Sequence, residues 1–257
     1  LVDNQNSQPK SAGASTNPLA QPPQAFLRKE AFFMVDNAAE EKTKTNSPKW
    51  VVACGGDPPL GAALAALKAA DFIVCADGGG NHLLRHGLTP LAVVGDGDSL
   101  SAEARAVFQE KGVEFVLHPP EKEYTDTHLA VEWAVGKGAK DLALVGAFGG
   151  RADHFLANVF LMGHFAPSLE KIALLHDNAG IYCSEGLLEL TGTRGDTLSL
   201  MALSPVARKV TLRGLKYPLE GRDIFLGKNL GISNIFESGK VRIEHEGGQL
   251  LVIHTRR

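Results

Sequence analysis

The 257-residue chain contains no apolar run of about 18 residues, the length a helix needs to cross a bilayer, so no transmembrane helix is expected. Its first 20 residues lack the apolar stretch of a secretory signal, and a cytoplasmic protein is the expectation. Cysteine is scarce. Cys54, Cys75 and Cys183 cannot all pair with one another, and their wide spacing suits reduced thiols better than a disulfide framework or a zinc site. Surplus positive charge is also missing, since 26 basic side chains face 29 acidic ones for a net −3. That disfavours a general nucleic-acid or anionic-membrane binder. The nucleotide fingerprints GxxxxGK(S/T) and GxGxxG do not occur.

What is present falls into three parts. Residues 1–48 are rich in Asn, Gln, Ser, Pro and Ala, hold one glycine of 28, and have one compact apolar run, Ala31–Val35. They read as a flexible tail. Residues 49–180 carry 10 basic and 16 acidic side chains, and residues 181–257 carry 11 and 8. The small total charge therefore hides two parts of opposite sign. Hydrophobic content of 44% excludes wholesale disorder.

From Trp50 onward, short β-branched runs alternate with helical patterns. Trp50–Cys54, Phe72–Cys75, Leu91–Val94, Glu114–Leu117, Leu142–Val145 and Ile172–Leu175 are expected strands, several apolar on both faces as in a buried parallel sheet. Leu60–Ala70, Ser101–Lys111, Thr127–Lys137 and Ala152–Gly163 are expected helices. This alternation predicts an α/β fold: an open, mostly parallel sheet with helices on both faces, spanning residues 49–180. After residue 180 the helical period stops. Leu187–Leu190, Thr197–Leu203, Lys209–Leu212, Val241–Glu244 and Gln249–His254 predict a smaller all-β, sandwich-like domain over residues 181–257.

Ligands of open α/β sheets bind at the carboxyl ends of strands, and here those ends carry Asp and Gly. Asp77-Gly78-Gly79-Gly80-Asn81 follows one strand and precedes a helical stretch, where glycine lets a backbone approach a ligand; it is also an ordinary turn. Gly95-Asp96-Gly97-Asp98-Ser99 places two carboxylates on one loop, at a spacing that suits Mg²⁺ or, equally, a helix-capping turn. Glu121, Glu123 and Asp126 put three acids within six residues, which favours a bound cation. Arg151, at a Gly-rich helix start, can grip a phosphate or brace Asp153. His82 and His86 are four apart but have no third ligand, so a solvated helix face is expected; Cys54 and Cys75 are expected in the core.

The ordered set ADGGGNHLL (76–84), GDGDS (95–99), EKEYTD (121–126) and GGRADH (149–154), followed by Gly231-Ile232-Ser233-Asn234, resembles the thiamine pyrophosphokinase family from about Val51 to Ile253. The resemblance implies pyrophosphoryl transfer from ATP to the hydroxyl of thiamine with Mg²⁺, in a homodimer whose sites are shared between the α/β domain of one chain and the β domain of the other. It implies Asp96, Asp98 and Asp126 as metal-binding acids, acting with Arg151 in catalysis. The candidate nucleotide set is Asp77, Gly78, Gly79, Asn81, Ser99, Thr125 and Arg151. Asp153, Ser233 and Asn234 match positions near thiamine. The chain departs from the family pattern at Gly97, commonly Phe, at Glu121 and Glu123, commonly Asp, and at Ile235, commonly Glu. Two other readings remain at this stage: a different Mg²⁺-dependent phosphoryl-transfer enzyme such as an aspartate-nucleophile phosphatase, and a non-catalytic thiamine or nucleotide sensor.

Overall fold

Strands that are apolar on both faces need cover on both, and the order of the elements supplies it. A computed structural model describes residues 47–149 and 151–257. The expected tail, residues 1–48, lies outside the described residues apart from Ser47 and Pro48, as does Gly150. Six strands run parallel: β1 (Lys49–Ala53), β2 (Phe72–Ala76), β3 (Ala92–Gly95), β4 (Glu114–Leu117), β5 (Asp141–Val145) and β6 (Lys171–Leu175). They are joined by helices α1 (Gly61–Lys68), α2 (Gly79–Arg85), α3 (Ala102–Glu110), α4 (Asp126–Gly136) and α5 (Ala152–Phe165). Their spatial order is β6-β5-β1-β2-β3-β4. The chain steps outward from β1 to β4, then returns to place β5 on the other side of β1. Between β1 and β5 the strand order reverses, which is where such sheets open a crevice at their carboxyl ends.

Alternating side chains sort the helices. Trp50, Val52, Val74 and Leu144 pack with Ala130 and Val131 of α4 and Met162 of α5. Val51, Ala53, Ile73 and Cys75 pack with Leu67 of α1, Leu83 of α2 and Phe108 of α3. Cys54 and Cys75 are buried, as expected. Ser101 accepts a hydrogen bond from the Ala104 N–H at 3.1 Å, and Thr125 one from the His128 N–H at 3.2 Å, so α3 and α4 begin on side-chain caps. No described helix is long and apolar enough to cross a membrane.

The remaining strands are β7 (Ala179–Ser184), β8 (Leu188–Thr191), β9 (Thr197–Ala202), β10 (Val206–Arg213), β11 (Leu219–Phe225), β12 (Asn234–Ile235), β13 (Lys240–Glu244) and β14 (Leu250–Thr255). β7 pairs antiparallel with β6, and β14, β9 and β12 follow, so the sheet reaches ten strands. A separate antiparallel sheet, in the order β11-β10-β13-β8, packs against this extension. Leu198, Leu200 and Val252 from one sheet and Val210, Leu212 and Ile243 from the other share a core with Phe236. The architecture is thus the expected one, a mostly parallel sheet with helices followed by a smaller antiparallel module.

β7, β11 and β12 have no counterpart among the expected strands. β11 is an edge strand whose Glu220, Gly221 and Arg222 are exposed, so it carries no apolar signal. β12 has two residues. The triple glycine also differs from expectation, because α2 starts at Gly79 instead of after Asn81. A Cβ at Gly79 would collide with the Ala53 carbonyl oxygen, and one at Gly80 would come within 2.5 Å of Leu100 Cδ1. Gly79 lets the helix lie against the end of β1, and Gly80 lets it close on Leu100 and Phe108. His82 is correspondingly buried and not on a solvated face; its Nε2 lies 2.9 Å from the Gly56 carbonyl oxygen. Gly79→Ala is expected to lower the free energy of urea unfolding by about 1–3 kcal/mol, the usual cost of overpacking. An unchanged midpoint would show that α2 can shift away from β1 freely.

Candidate active site

Four loops that leave the carboxyl ends of β1, β2, β3 and β5, together with the segment that opens α4, surround a cavity of about 440 Å³. It lies at the sheet's order reversal. Phe148 and Phe155, with ring centroids 4.7 Å apart, give it an apolar wall. Asp77, Ser99, Lys122, Thr125, Asp126 and Arg151 give it a charged and polar one.

The acidic groups converge through backbone geometry. Asp77 adopts a positive φ of 37°, is 3% exposed, and accepts a hydrogen bond from the Ser99 N–H at 2.9 Å through Oδ2. Its Oδ1 is buried without a hydrogen-bond partner, and so is Oδ1 of Asp126. Gly95 has a φ of 148°, and a Cβ there would stand 2.8 Å from Asp126 Oδ1 and 2.9 Å from the Asp77 Cβ. Only glycine at the end of β3 lets the two carboxylates approach this closely. Asp77, Asp96 and Asp126 can each offer an oxygen such that the three lie within 4.8 Å of one another.

One ammonium sits among them. Lys122 Nζ hydrogen-bonds Asp96 Oδ2 at 2.7 Å. It lies 2.8 Å from Asp126 Oδ1, as an ion pair without hydrogen-bond geometry. Burial works against the lysine's charge, but the two carboxylates outweigh it and raise its pKa. The hydrogen bond from Lys122, with that from the Asp98 N–H, holds Asp96 below the usual carboxylate value. Asp77 is shifted the other way. Burial raises it, the Ser99 N–H pulls against that, and the charges of Asp126 and Asp96 and a side-chain contact with Asp98 raise it further. Hard oxygen donors that are close, partly buried and short of hydrogen-bond donors fit a divalent cation such as Mg²⁺.

The other sequence candidates take varied places. Asp98 is exposed and stands outside the three-oxygen group; its Oδ1 accepts from Ser99 Oγ at 2.8 Å. Glu121 and Glu123 are exposed, so Asp126 alone of that acidic run joins the cluster. Asn81 is spent on the loop itself, donating to the Ser99 carbonyl and accepting from the Ser101 N–H, both at 2.9 Å. The Thr125 hydroxyl caps α4. Gly78 borders the cavity, whereas Gly79 lies in α2 against β1. Arg151 borders it too, and forms a bidentate pair with Asp153 at 2.6 and 3.2 Å. Both groups are exposed, and Arg151 draws the Asp153 pKa down to about 2.

Ser233 and Asn234 are elsewhere. β12 lies five strands from β5 in the sheet, about 24 Å at the usual strand spacing. Asn234 is 2% exposed, and its amide group clasps the Tyr217 backbone, accepting from its N–H at 3.0 Å and donating to its carbonyl at 2.7 Å. One chain therefore does not bring these residues to the acidic cavity.

Residues 64–174 match the family model "Thiamin pyrophosphokinase, catalytic domain", and residues 187–250 match "Thiamin pyrophosphokinase, vitamin B1 binding domain". A curated thiamine pyrophosphokinase from Bacillus subtilis is 30% identical over 175 residues, covering 67% of this chain and 82% of that protein. The chain belongs to the thiamine pyrophosphokinase family. A second relative, thiamine pyrophosphokinase 1 of Oryza sativa subsp. japonica, is 26% identical over 71% of this chain and 78% of its own. The crystal structure of the Bacillus subtilis thiamine pyrophosphokinase superposes with a TM-score of 0.73 at 27% identity, covering 81% of this chain and 99% of that one.

Against the family pattern, Gly97 has a local explanation. Its φ is 79°, and a Cβ there would collide with the Arg105 guanidinium, which donates to the Gly97 carbonyl at 2.7 Å and lies 5.7 Å from the Phe115 ring centroid. Sequence reasoning did not identify Lys122, Arg105 or the Phe148–Phe155 wall. The available signal for Lys122 was its place four residues before Asp126 in an acid-rich run.

Asp77 also sets a pH dependence. Unfolded, it ionises near 3.8, and its folded pKa is higher. Between the two values the folded state keeps the extra proton. The group's contribution to stability is intact below 3.8 and is lost as pH rises through the folded value. Asp77→Asn is therefore expected to raise the melting temperature of the metal-free protein at neutral pH, with the gain vanishing as the pH falls to 3.8. Equal melting temperatures at neutral pH would show that the buried carboxylate carries no cost.

Proposed function

We propose that this protein transfers a pyrophosphoryl group from ATP to the hydroxyl of thiamine, giving thiamine diphosphate and AMP. The observation that carries this reading is the three-carboxylate cluster at the sheet's order reversal, inside the segment that matches the family's catalytic domain. In the reaction the thiamine oxygen forms a bond to the β-phosphorus of ATP. The bond from that phosphorus to the α–β bridging oxygen breaks, AMP leaves, and the hydroxyl proton is released.

The residues divide the work by their chemistry. Asp77, Asp96 and Asp126 would hold Mg²⁺, with Asp98 on the same loop. The bound ion would supply positive charge against the phosphates as negative charge moves toward the leaving AMP. Arg151 offers a guanidinium to phosphate oxygens by exchanging its exposed pair with Asp153. Ser99 and Asn81 keep the loop that carries Asp96 in place. The Phe148–Phe155 wall gives an aromatic ring a dry surface. Three free cysteines, two of them buried, support a reducing compartment such as the cytoplasm.

We also propose a homodimer, with residues 49–180 of one chain meeting residues 181–257 of its partner. The distance between β12 and the cavity supports this, because Ser233 and Asn234 can serve as thiamine-side residues only if a second chain brings them there.

Purified protein given ATP, Mg²⁺ and thiamine is expected to form thiamine diphosphate and AMP in equal amounts. ADP, or no thiamine product, would overturn the reading. Asp96→Asn and Asp126→Asn are each expected to lower kcat by ~100-fold, the scale of removing one key electrostatic group. The shared site predicts complementation. Asp96→Asn and Ser233→Arg chains, each inactive alone, should regain about a quarter of wild-type turnover when co-refolded, because random pairing leaves one site in four intact. No recovery in dimers verified by sedimentation would place the whole site within one chain.

A further inference from the structure

Three carboxylates whose oxygens lie within 4.8 Å repel one another strongly in a partly buried site. Something must compensate them before any metal arrives, and Lys122 does so. Its side chain is 13% exposed, and its Nζ touches Asp96 Oδ2 and Asp126 Oδ1 at 2.7 and 2.8 Å. These are oxygens that a divalent ion would take. The ammonium and the ion cannot both stand against the same two oxygens, since each would place positive charge in the other's space.

Lys122 is also placed to leave. It lies in the segment between β4 and α4, where its N–H bonds locally to the Pro120 carbonyl at 3.0 Å. Four methylenes carry its charge, and the side chain borders the cavity that Arg151 also borders. An ammonium displaced from the carboxylates would have that cavity open to it, and a polyphosphate bound there would offer it a new anion.

We propose that Lys122 is a resident counter-ion that holds the metal carboxylates together in the metal-free protein, is expelled by the incoming divalent ion, and is handed on to the nucleotide's phosphates. This rests on the reading of the acidic cluster as a divalent-metal site. It goes beyond that reading by giving the exchange a direction: metal entry and phosphate capture are coupled through one side chain. A lysine serving only to brace the loop would instead help metal binding, by keeping the acids in position.

The two roles predict opposite signs. Mn²⁺ alone, titrated into nucleotide-free protein and followed by electron paramagnetic resonance, should bind Lys122→Met about tenfold more tightly than wild type, the change made by removing roughly 1.4 kcal/mol of competition. Lys122→Arg keeps the charge and should bind Mn²⁺ near the wild-type affinity. The metal-free melting temperature of Lys122→Met should fall below that of wild type, and saturating Mn²⁺ should close the gap. With Mn²⁺ saturating, Lys122→Met should bind ATP more weakly than wild type. Equal or weaker Mn²⁺ binding by folded Lys122→Met would overturn the exchange while leaving the metal site standing. Unchanged ATP affinity would overturn the hand-over to phosphate. Failure of Mn²⁺ to bind wild type and variant alike would overturn the metal reading, and the exchange with it.

Discussion

Like charges held close in a partly dry space set the terms for the rest of this site. Asp77, Asp96 and Asp126 come from three separate segments of the chain, and local backbone features bring Asp77 and Asp126 together. Asp77 takes a left-handed backbone conformation. Gly95 leaves out the side chain that would separate Asp77 from Asp126. The Thr125 cap fixes the first turn of α4, so that Asp126 faces the cavity. The cap is favourable in itself, but the left-handed backbone at Asp77 and the close approach of the carboxylates are not. They persist because the apolar sheet behind them, with residues such as Val52, Val74 and Leu144 fully buried, is stable enough to impose them.

The sheet itself was legible in the sequence because its strands are buried on both faces, which produces unbroken apolar runs that periodicity detects. Helices α3 and α4 were legible from Ser101 and Thr125 as much as from their apolar faces. What escaped was structure without an apolar signature. β11 is solvated along most of its length, and β12 owes its place to Asn234 gripping Tyr217. The glycines of α2 carried a double meaning: the residue type that permits a turn also permits a helix to lie against a strand end.

The candidate site was legible in position but only partly in role. Strand-end Asp and Gly pointed to the edge of the sheet where the cavity and the three carboxylates lie, and the family resemblance supplied the chemistry. Side-chain direction was not available from spacing. Asp98 is two residues from Asp96, yet it is exposed and accepts from Ser99, while Asp77 from another loop supplies the third oxygen of the group. Lys122 carries a positive charge in a run of negative ones, and a count of carboxylates passes over it. Asn234 is occupied with its own backbone surroundings, which leaves Tyr217 and Ser233 as the more exposed groups of that region.

The pairing of β6 with β7 has a consequence for how the molecule comes apart. Ile172 to Leu175 pair in register with Gly180 to Cys183, so one hydrogen-bonded ladder crosses the point where composition changes from mixed to all-β. Severing the chain there would leave a raw strand edge on each fragment: β6 on one, β7 on the other. Both are apolar, and each would seek a replacement strand from another molecule. The two halves differ in charge and in the family model they match, but neither presents a finished surface at their boundary. Heat or denaturant should consequently find no weak seam between them to open first.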